Sequence, residues 1–133
     1  AAETGHLVFS SLHTTGAANT IDRIIDVFPS NQQQQIKIQL SMQLQAVISQ
    51  HLIPSPVIGR AAAFEVMLVN NAVSNLIRDS KVHQLNSLIY SSEGKGMKSM
   101  DTSIIELYRE GLITRANALL HASDPDFMVK KLV

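Results

Sequence analysis

The chain has 133 residues, 45% of them hydrophobic, with 11 Lys and Arg against 11 Asp and Glu and no Cys. That length holds one domain or a piece of one, the hydrophobic content excludes a disordered chain, and the balanced charge gives no electrostatic reason to expect nucleic acid or an acidic membrane as partner. Without Cys there is no disulfide, thiolate nucleophile or Cys-bound zinc, and no apolar run approaches the roughly 18–20 residues of a bilayer-spanning helix.

The chain opens AAETG, and Gly5 reads as the residue just past a helix C-terminus, where a left-handed conformation costs Gly little. A helix of four residues is not stable alone, and no basic region followed by an apolar one marks a signal peptide. The opening is therefore expected to be the tail of a helix, and the chain a piece cut from a larger protein. Residues 6–13, HLVFSSLH, are a short apolar run that suits a strand buried on both faces. Thr14, Thr15 and Gly16 follow as a loop. Asn19 or Thr20 can cap a helix carrying Ile21, Ile24, Ile25 and Phe28 on one face, and Pro29 stops it.

Ser30 or Asn31 can cap the next helix, in which Ile36, Leu40, Leu44, Val47 and Ile48 recur at helical spacing. SPVIGR (55–60) reads as a hairpin turn between extended pieces 48–53 and 60–69, the second apolar on both parities except for Glu65. From Asn70 the pattern is helical over 72–79, 82–90, 97–110 and 114–122, with a short last piece after Pro125; Gly111 stops the third of these, and 94–96 is a loop. One strand followed by a crossover helix and further short strands gives part of an α/β sheet. A lone parallel strand leaves both edges open, so the neighbours of 6–13 are expected upstream.

His6 and His13 bracket that strand, roughly 23 Å apart at about 3.3 Å per residue and on opposite faces, so they do not share one metal ion. His13 stands at the strand's carboxyl end, before a Thr-Thr-Gly loop and a helix N-terminus, where ligands gather in open α/β sheets. An imidazole there can donate a hydrogen bond to a terminal phosphate; the competing reading is a structural His bonded to a loop carbonyl. No phosphate-binding G-x-x-x-x-G-K-[ST] or G-x-G-x-x-G exists, EGKGMKS has the wrong glycine spacing, and Ser10 and Ser11 lack a nucleophile-elbow context. Glu65 reads as a paired or hydrogen-bonded buried carboxylate rather than a general base. Val73, Leu76 and Ile77 share one side of an amphipathic helix with Arg78 and Asp79 at its edge, and Met97 and Met100 are core gap-fillers. His51, His83 and His121 carry no signal.

AAETGHLVFSSLHTTGAANTIDRIIDVFP closely resembles the His-box region of the PilT-type type IV pilus retraction ATPases, twitching-motility motors of the type II/IV secretion ATPase superfamily. The resemblance continues through LQAVISQHLIP (44–54), GRAAAFEVML (59–68), NAVSNLIRD (71–79), GMKSMD (96–101) and LYREGLI (107–113). It implies an α/β fold: the C-terminal portion of a RecA-like P-loop ATPase domain, helix-rich with a short sheet remnant. Residues 1–69 become the C-terminal half of the core with the His box, residues 70–133 a C-terminal helical subdomain, and Walker A, acidic box and Walker B lie upstream.

Position by position, His6 and His13 correspond to the His-box histidines, implying catalytic roles, and His13 with Thr14 falls where the γ-phosphate is approached. Residues 72–79 correspond to a motif written AIRNLIRE and associated with retraction. Here Ala72, Asn75, Leu76, Ile77 and Arg78 match it, while Ser74 replaces an Arg and Asp79 shortens a Glu. The resemblance further implies ATP and Mg2+ as cofactors in the intact protein and a homo-hexamer working with an inner-membrane platform protein. It implies no nucleic acid, no transmembrane segment and a cytoplasmic place, peripheral at the inner membrane. A piece lacking the P-loop is expected to be inactive alone. Two other readings stay open: a pilus-assembly or secretion ATPase paralogue, and a non-enzymatic helical module docking a protein partner through 71–122.

Overall fold

Two apolar stretches on either side of Pro56, Val57 and Ile58 form the centre of the molecule. In the computed structural model, which describes residues 1–132, they are strands β1 (Ala46–Ser55) and β2 (Gly59–Leu68), paired antiparallel from Ala46 opposite Leu68 to Ser55 opposite Gly59. The turn is pinned by Ser55, whose Oγ accepts from the Val57 and Ile58 amides at 3.2 Å each and donates to the Leu112 carbonyl. Side chains alternate with the pleat. Val47, Ser49, Ile53 and Ser55 of β1 and Ala61, Ala63, Glu65 and Met67 of β2 are buried, while Ile48, Leu52, Phe64 and Leu68 are exposed on the other face.

Among the described residues seven α-helices accompany this hairpin and leave its outer face open: α1 (Ala17–Asp26), α2 (Ser30–Gln43), α3 (Asn71–Arg78), α4 (Leu85–Ser91), α5 (Met100–Arg109), α6 (Arg115–His121) and α7 (Pro125–Lys131). Their starts are set by the residue types that favour caps. Side chains of Asn70, Ser99, Thr114 and Asp124 accept from Val73, Thr102, Asn117 and Phe127 amides at the heads of α3, α5, α6 and α7. Gly111, at φ 72°, ends α5 as its sequence position implies.

One apolar cluster joins Ile21 and Ile25 of α1, Val47 and Met67 at one end of the hairpin, and Ile77 and Ile89 of α3 and α4. A second joins Ile53 and Ala61 at the other end to Ile104, Ala118 and Met128 of α5, α6 and α7. Both expected core methionines, Met97 and Met100, are buried, one in each cluster. Among the described residues no helix is long and apolar enough to cross a membrane.

Several expectations need correction. The first two helices begin earlier than the caps expected at Asn19 or Thr20 and at Ser30 or Asn31: Gly16 and Pro29 hold the N-cap positions, and those four residues lie inside the helices. The strand expected over 6–13 is not formed: the segment is neither helix nor strand, with Leu7 83% and Phe9 87% exposed. A strand buried on both faces needs neighbours for its N–H and C=O groups, and among the described residues none pairs with it. The second helix ends at Gln43 instead of running through Ile48, because Leu44 turns extended (ψ 130°) and residues from Ala46 pair with β2. The helix expected from residue 97 begins at Met100, because Lys98 exchanges two 2.9 Å backbone hydrogen bonds with Val66 on the outer edge of β2.

Asp101 ties the second cluster together. Its carboxylate, 7% exposed, accepts from the Ser123 amide at 2.7 Å and the Asp124 amide at 2.9 Å, joining α5 to the link between α6 and α7. Removing it deletes two hydrogen bonds to a charged acceptor, so Asp101→Ala is expected to lower stability by roughly 1–3 kcal/mol in urea unfolding, with Asp101→Asn less damaging.

Candidate functional site

The Thr-Thr-Gly loop meets the head of α1 without a side-chain cap of its own. Gly16 takes the N-cap position at φ 87°, a conformation Gly adopts at little cost. The first helical amide, Ala17, donates instead to Glu65 Oε1 at 2.7 Å, across from β2. Glu65 is 6% exposed, so this is a buried carboxylate held by one short amide bond at the positive end of a helix. It is the hydrogen-bonded buried carboxylate that its place in an apolar strand suggests, with a partner 48 residues away that no local pattern names.

The loop is braced from within as well. Thr20 Oγ1 donates to the Gly16 carbonyl at 2.8 Å, which uses its only proton, so Thr14 is the donor in the 2.8 Å bond between the two hydroxyls. Asn19 Nδ2 donates to the Thr15 carbonyl at 2.8 Å. Thr14 is half-buried with its hydroxyl turned to α1, whereas His13 is exposed. The imidazole is thus neither in the apolar interior nor at the end of a formed strand. Thr15 and Gly16 line a cleft of about 590 Å3, together with Glu65, Tyr90, Asp101 and Phe127.

His6 is placed apart from this loop in its bonding. Its Nδ1 lies 3.1 Å from Thr4 Oγ1 and 3.2 Å from the Ala1 carbonyl, beside the single turn of 2–4. Among the described residues no three His, Cys, Asp or Glu side chains gather to hold a metal ion. The AVSNLIRD segment forms α3 and its C-cap: Val73 and Ile77 enter the core, Leu76 is half-buried, and Ala72, Asn75, Arg78 and Asp79 are exposed. Arg78 Nη1 donates to Asn75 Oδ1 at 3.2 Å, and Lys37 of α2 donates to Ser80 Oγ at 2.9 Å just beyond the helix.

Two further groups escaped the sequence reading. Glu93 Oε1 accepts from Ser99 Oγ at 2.6 Å and from the Ser99 amide at 3.0 Å, anchoring the cap of α5; burial pushes its carboxyl upward, but these hydrogen bonds, with Lys98 nearby, outweigh that and hold it below the usual value. His51 of β1 and His121 of α6 meet edge to face, Nε2 to Nδ1 at 3.2 Å. Burial first, and the neighbouring His121 second, hold His51 below the ordinary imidazole value of 6.5.

The sequence profile of the Type II/IV secretion system protein family matches residues 1–119. The chain is 47% identical over 129 residues to the "Twitching motility protein" of Neisseria gonorrhoeae, an alignment covering 96% of this chain and 34% of that protein. It is 48% identical over 126 residues to the "Type IV pilus retractation ATPase PilT" of Pseudomonas aeruginosa, covering 95% of this chain and 37% of that protein. The crystal structure of the pilus retraction motor PilT with bound ADP superposes with a TM-score of 0.83 at 44% identity, over 96% of this chain and 36% of that one. The expected class, a helix-rich α/β portion of such an ATPase with a short sheet, is borne out. The chain spans about a third of the length of the relatives it matches.

Glu65→Ala leaves the Ala17 amide buried and unpaired; a loss of roughly 1–3 kcal/mol is expected in chemical unfolding, with faster hydrogen exchange at Ala17 than in the parent. A second expectation concerns acid. Because the folded pKa of His51 lies below its unfolded value of 6.5, the unfolded state binds more protons as pH falls through 6.5, and stability drops there before levelling off below the folded pKa. Thermal unfolding between pH 7.5 and 5 checks this, with His51→Gln expected to flatten the dependence.

Proposed function

Since the chain belongs to the Type II/IV secretion system protein family, we propose that it forms part of an ATPase motor that powers type IV pilus retraction and twitching motility. The observation that carries this reading is the setting of His13: an exposed imidazole leading into a Thr-Thr-Gly loop that Glu65 and Thr20 hold at a helix N-terminus beside a cleft. The likeness to proteins named for retraction and twitching, over 95% or more of the chain, supports the same motor.

In this reading ATP is gripped by a P-loop outside these 133 residues, and His13 donates a ring N–H to a γ-phosphate oxygen. After hydrolysis and phosphate release that donor loses its acceptor, and the 14–16 loop relaxes against α1. Such a bond contributes about 1.5–3 kcal/mol, enough to bias a two-state element and too little to drive it alone. Thr14 acts through Thr20 by holding the loop, and His6 stands as the second His-box residue, oriented by Thr4. Among the described residues no three His, Cys, Asp or Glu side chains gather around a metal ion, and in this reading Mg2+ belongs with the P-loop.

Ala72, Asn75 and Arg78, exposed on α3, and Asp79 at its C-cap face outward as a coupling surface for retraction, while Leu76 and Ile77 seat the helix. The working assembly is a homo-hexamer at the cytoplasmic face of the inner membrane, acting on the pilus platform protein. In it, residues 1–69 continue the RecA-like core and residues 70–133 form the helical subdomain. Ser74 and Asp79, which stand where the retraction motif has Arg and Glu, favour an accessory motor as the second reading. Expression in a strain lacking its retraction motor separates the two: twitching returns if this motor retracts by itself and stays absent if it is accessory.

His13→Ala in the intact protein is expected to lower ATP turnover roughly ten- to hundredfold while the assembly keeps its size in gel filtration. Turnover equal to the unsubstituted motor removes the sensor. The 133-residue chain by itself is expected to show neither tight ATP binding by calorimetry nor phosphate release.

A further inference from the structure

Two imidazoles lie outside the loop just described. His51 occupies the inner face of β1 between Ser49 and Ile53, opposite Ala63 of β2. His121 is the last residue of α6, which is fastened to the same strand by Asn117, whose Nδ2 donates to the Pro54 carbonyl at 2.8 Å. Asn117 and His121 are one turn apart, so the helix face that carries the amide anchor also carries the ring. His121 Nδ1 and His51 Nε2 are 3.2 Å apart, with ring centroids at 4.7 Å and planes perpendicular. Both residues are half-buried, with part of each side chain open to water.

That nitrogen separation suits two chemical states. One is an N–H···N hydrogen bond. The other is a shared ion: two imidazole–zinc bonds of about 2.0–2.1 Å meeting near the tetrahedral angle place their nitrogens roughly 3.3–3.4 Å apart. The step from the first to the second is small. The proton between the rings moves to the outer nitrogen of the ring that carried it, so two neutral rings bind the ion without net proton release.

We propose that His51 and His121 form a site for one divalent ion of the Zn2+, Ni2+ or Cu2+ class, completed by water, that staples α6 to the hairpin. Imidazole nitrogen is a ligand of choice for these borderline metals and not for Mg2+ or Ca2+. The lowered pKa of His51 favours the neutral ring that metal binding requires. No third His, Cys, Asp or Glu joins the pair among the described residues, so the ion keeps open water positions and exchanges readily. Neither His belongs to the Thr-Thr-Gly loop, and the site stands whether or not the nucleotide reading does.

The test is calorimetric titration of the purified, nucleotide-free and Mg2+-free protein with Ni2+ or Zn2+, beside His51→Gln and His121→Gln. The unsubstituted protein is expected to bind one equivalent per chain that both variants lose, to unfold at a higher temperature with the metal, and to lose that equivalent on acidification as protons compete. One equivalent of Cu2+ on the unsubstituted protein is expected to give a paramagnetic resonance spectrum with coupling to two imidazole nitrogens, a reading independent of how the variants fold. Equal stoichiometry in all three proteins, or a Cu2+ spectrum lacking the two-nitrogen coupling, overturns the site and leaves the pair a plain hydrogen bond.

Discussion

Glu65 reaches from the inner face of β2 to the Ala17 amide, and through that bond the hairpin fixes where α1 begins and where the Thr-Thr-Gly loop must turn. Burying a carboxylate without partners costs several kcal/mol, which the helix end and its first amide offset here. The arrangement depends on strand register. A slip of one residue turns position 65 to the opposite face, and both the cap of α1 and the seat of the loop are lost together. The surroundings of His13 are thus decided on a strand that lies 48 positions away from the Ala17 amide it holds.

The inner face of the hairpin is not uniformly apolar. Val47 and Met67 serve one cluster, Ile53 and Ala61 the other, and between them lie the paired Ser49 and Glu65 with His51 next along the strand. That polar band divides the two cores, and the cleft holding Thr15, Gly16 and Asp101 has Glu65 in its wall. Polar groups set between apolar clusters give specific partners where dispersion alone gives none: Glu65 takes an amide of α1, and His51 takes the ring of α6.

What the sequence made legible follows local chemistry. The hairpin was readable because SPVIGR breaks two apolar runs, and α3, α6 and α7 because the pattern turns helical from Asn70, over 114–122 and after Pro125; their caps Asn70, Thr114 and Asp124 emerge only in the structure. The run 6–13 misled because a buried-strand pattern states the surroundings a segment requires without supplying a partner strand. Leu44, Val47 and Ile48 fit a helical period, and only pairing with β2 moved the last two into a strand. Within the site, His13 and its loop stood out as a contiguous motif. The roles of Asp101 and the His51–His121 pair were hidden because their partners lie 22 and 70 residues away, beyond any periodicity.

The hairpin has ten paired rungs, so at about 3.4 Å per residue it is a beam roughly 30 Å long. It has α1 bolted near one end through Glu65 and α6 near the other through Asn117. On such a length a tilt of about 4° at one end corresponds to roughly 2 Å at the other, so the seats of α1 and α6 are fixed with respect to each other by how straight the two strands lie. Two strands joined by paired backbone bonds thereby give the loop at α1 and the helices at the opposite tip one common support.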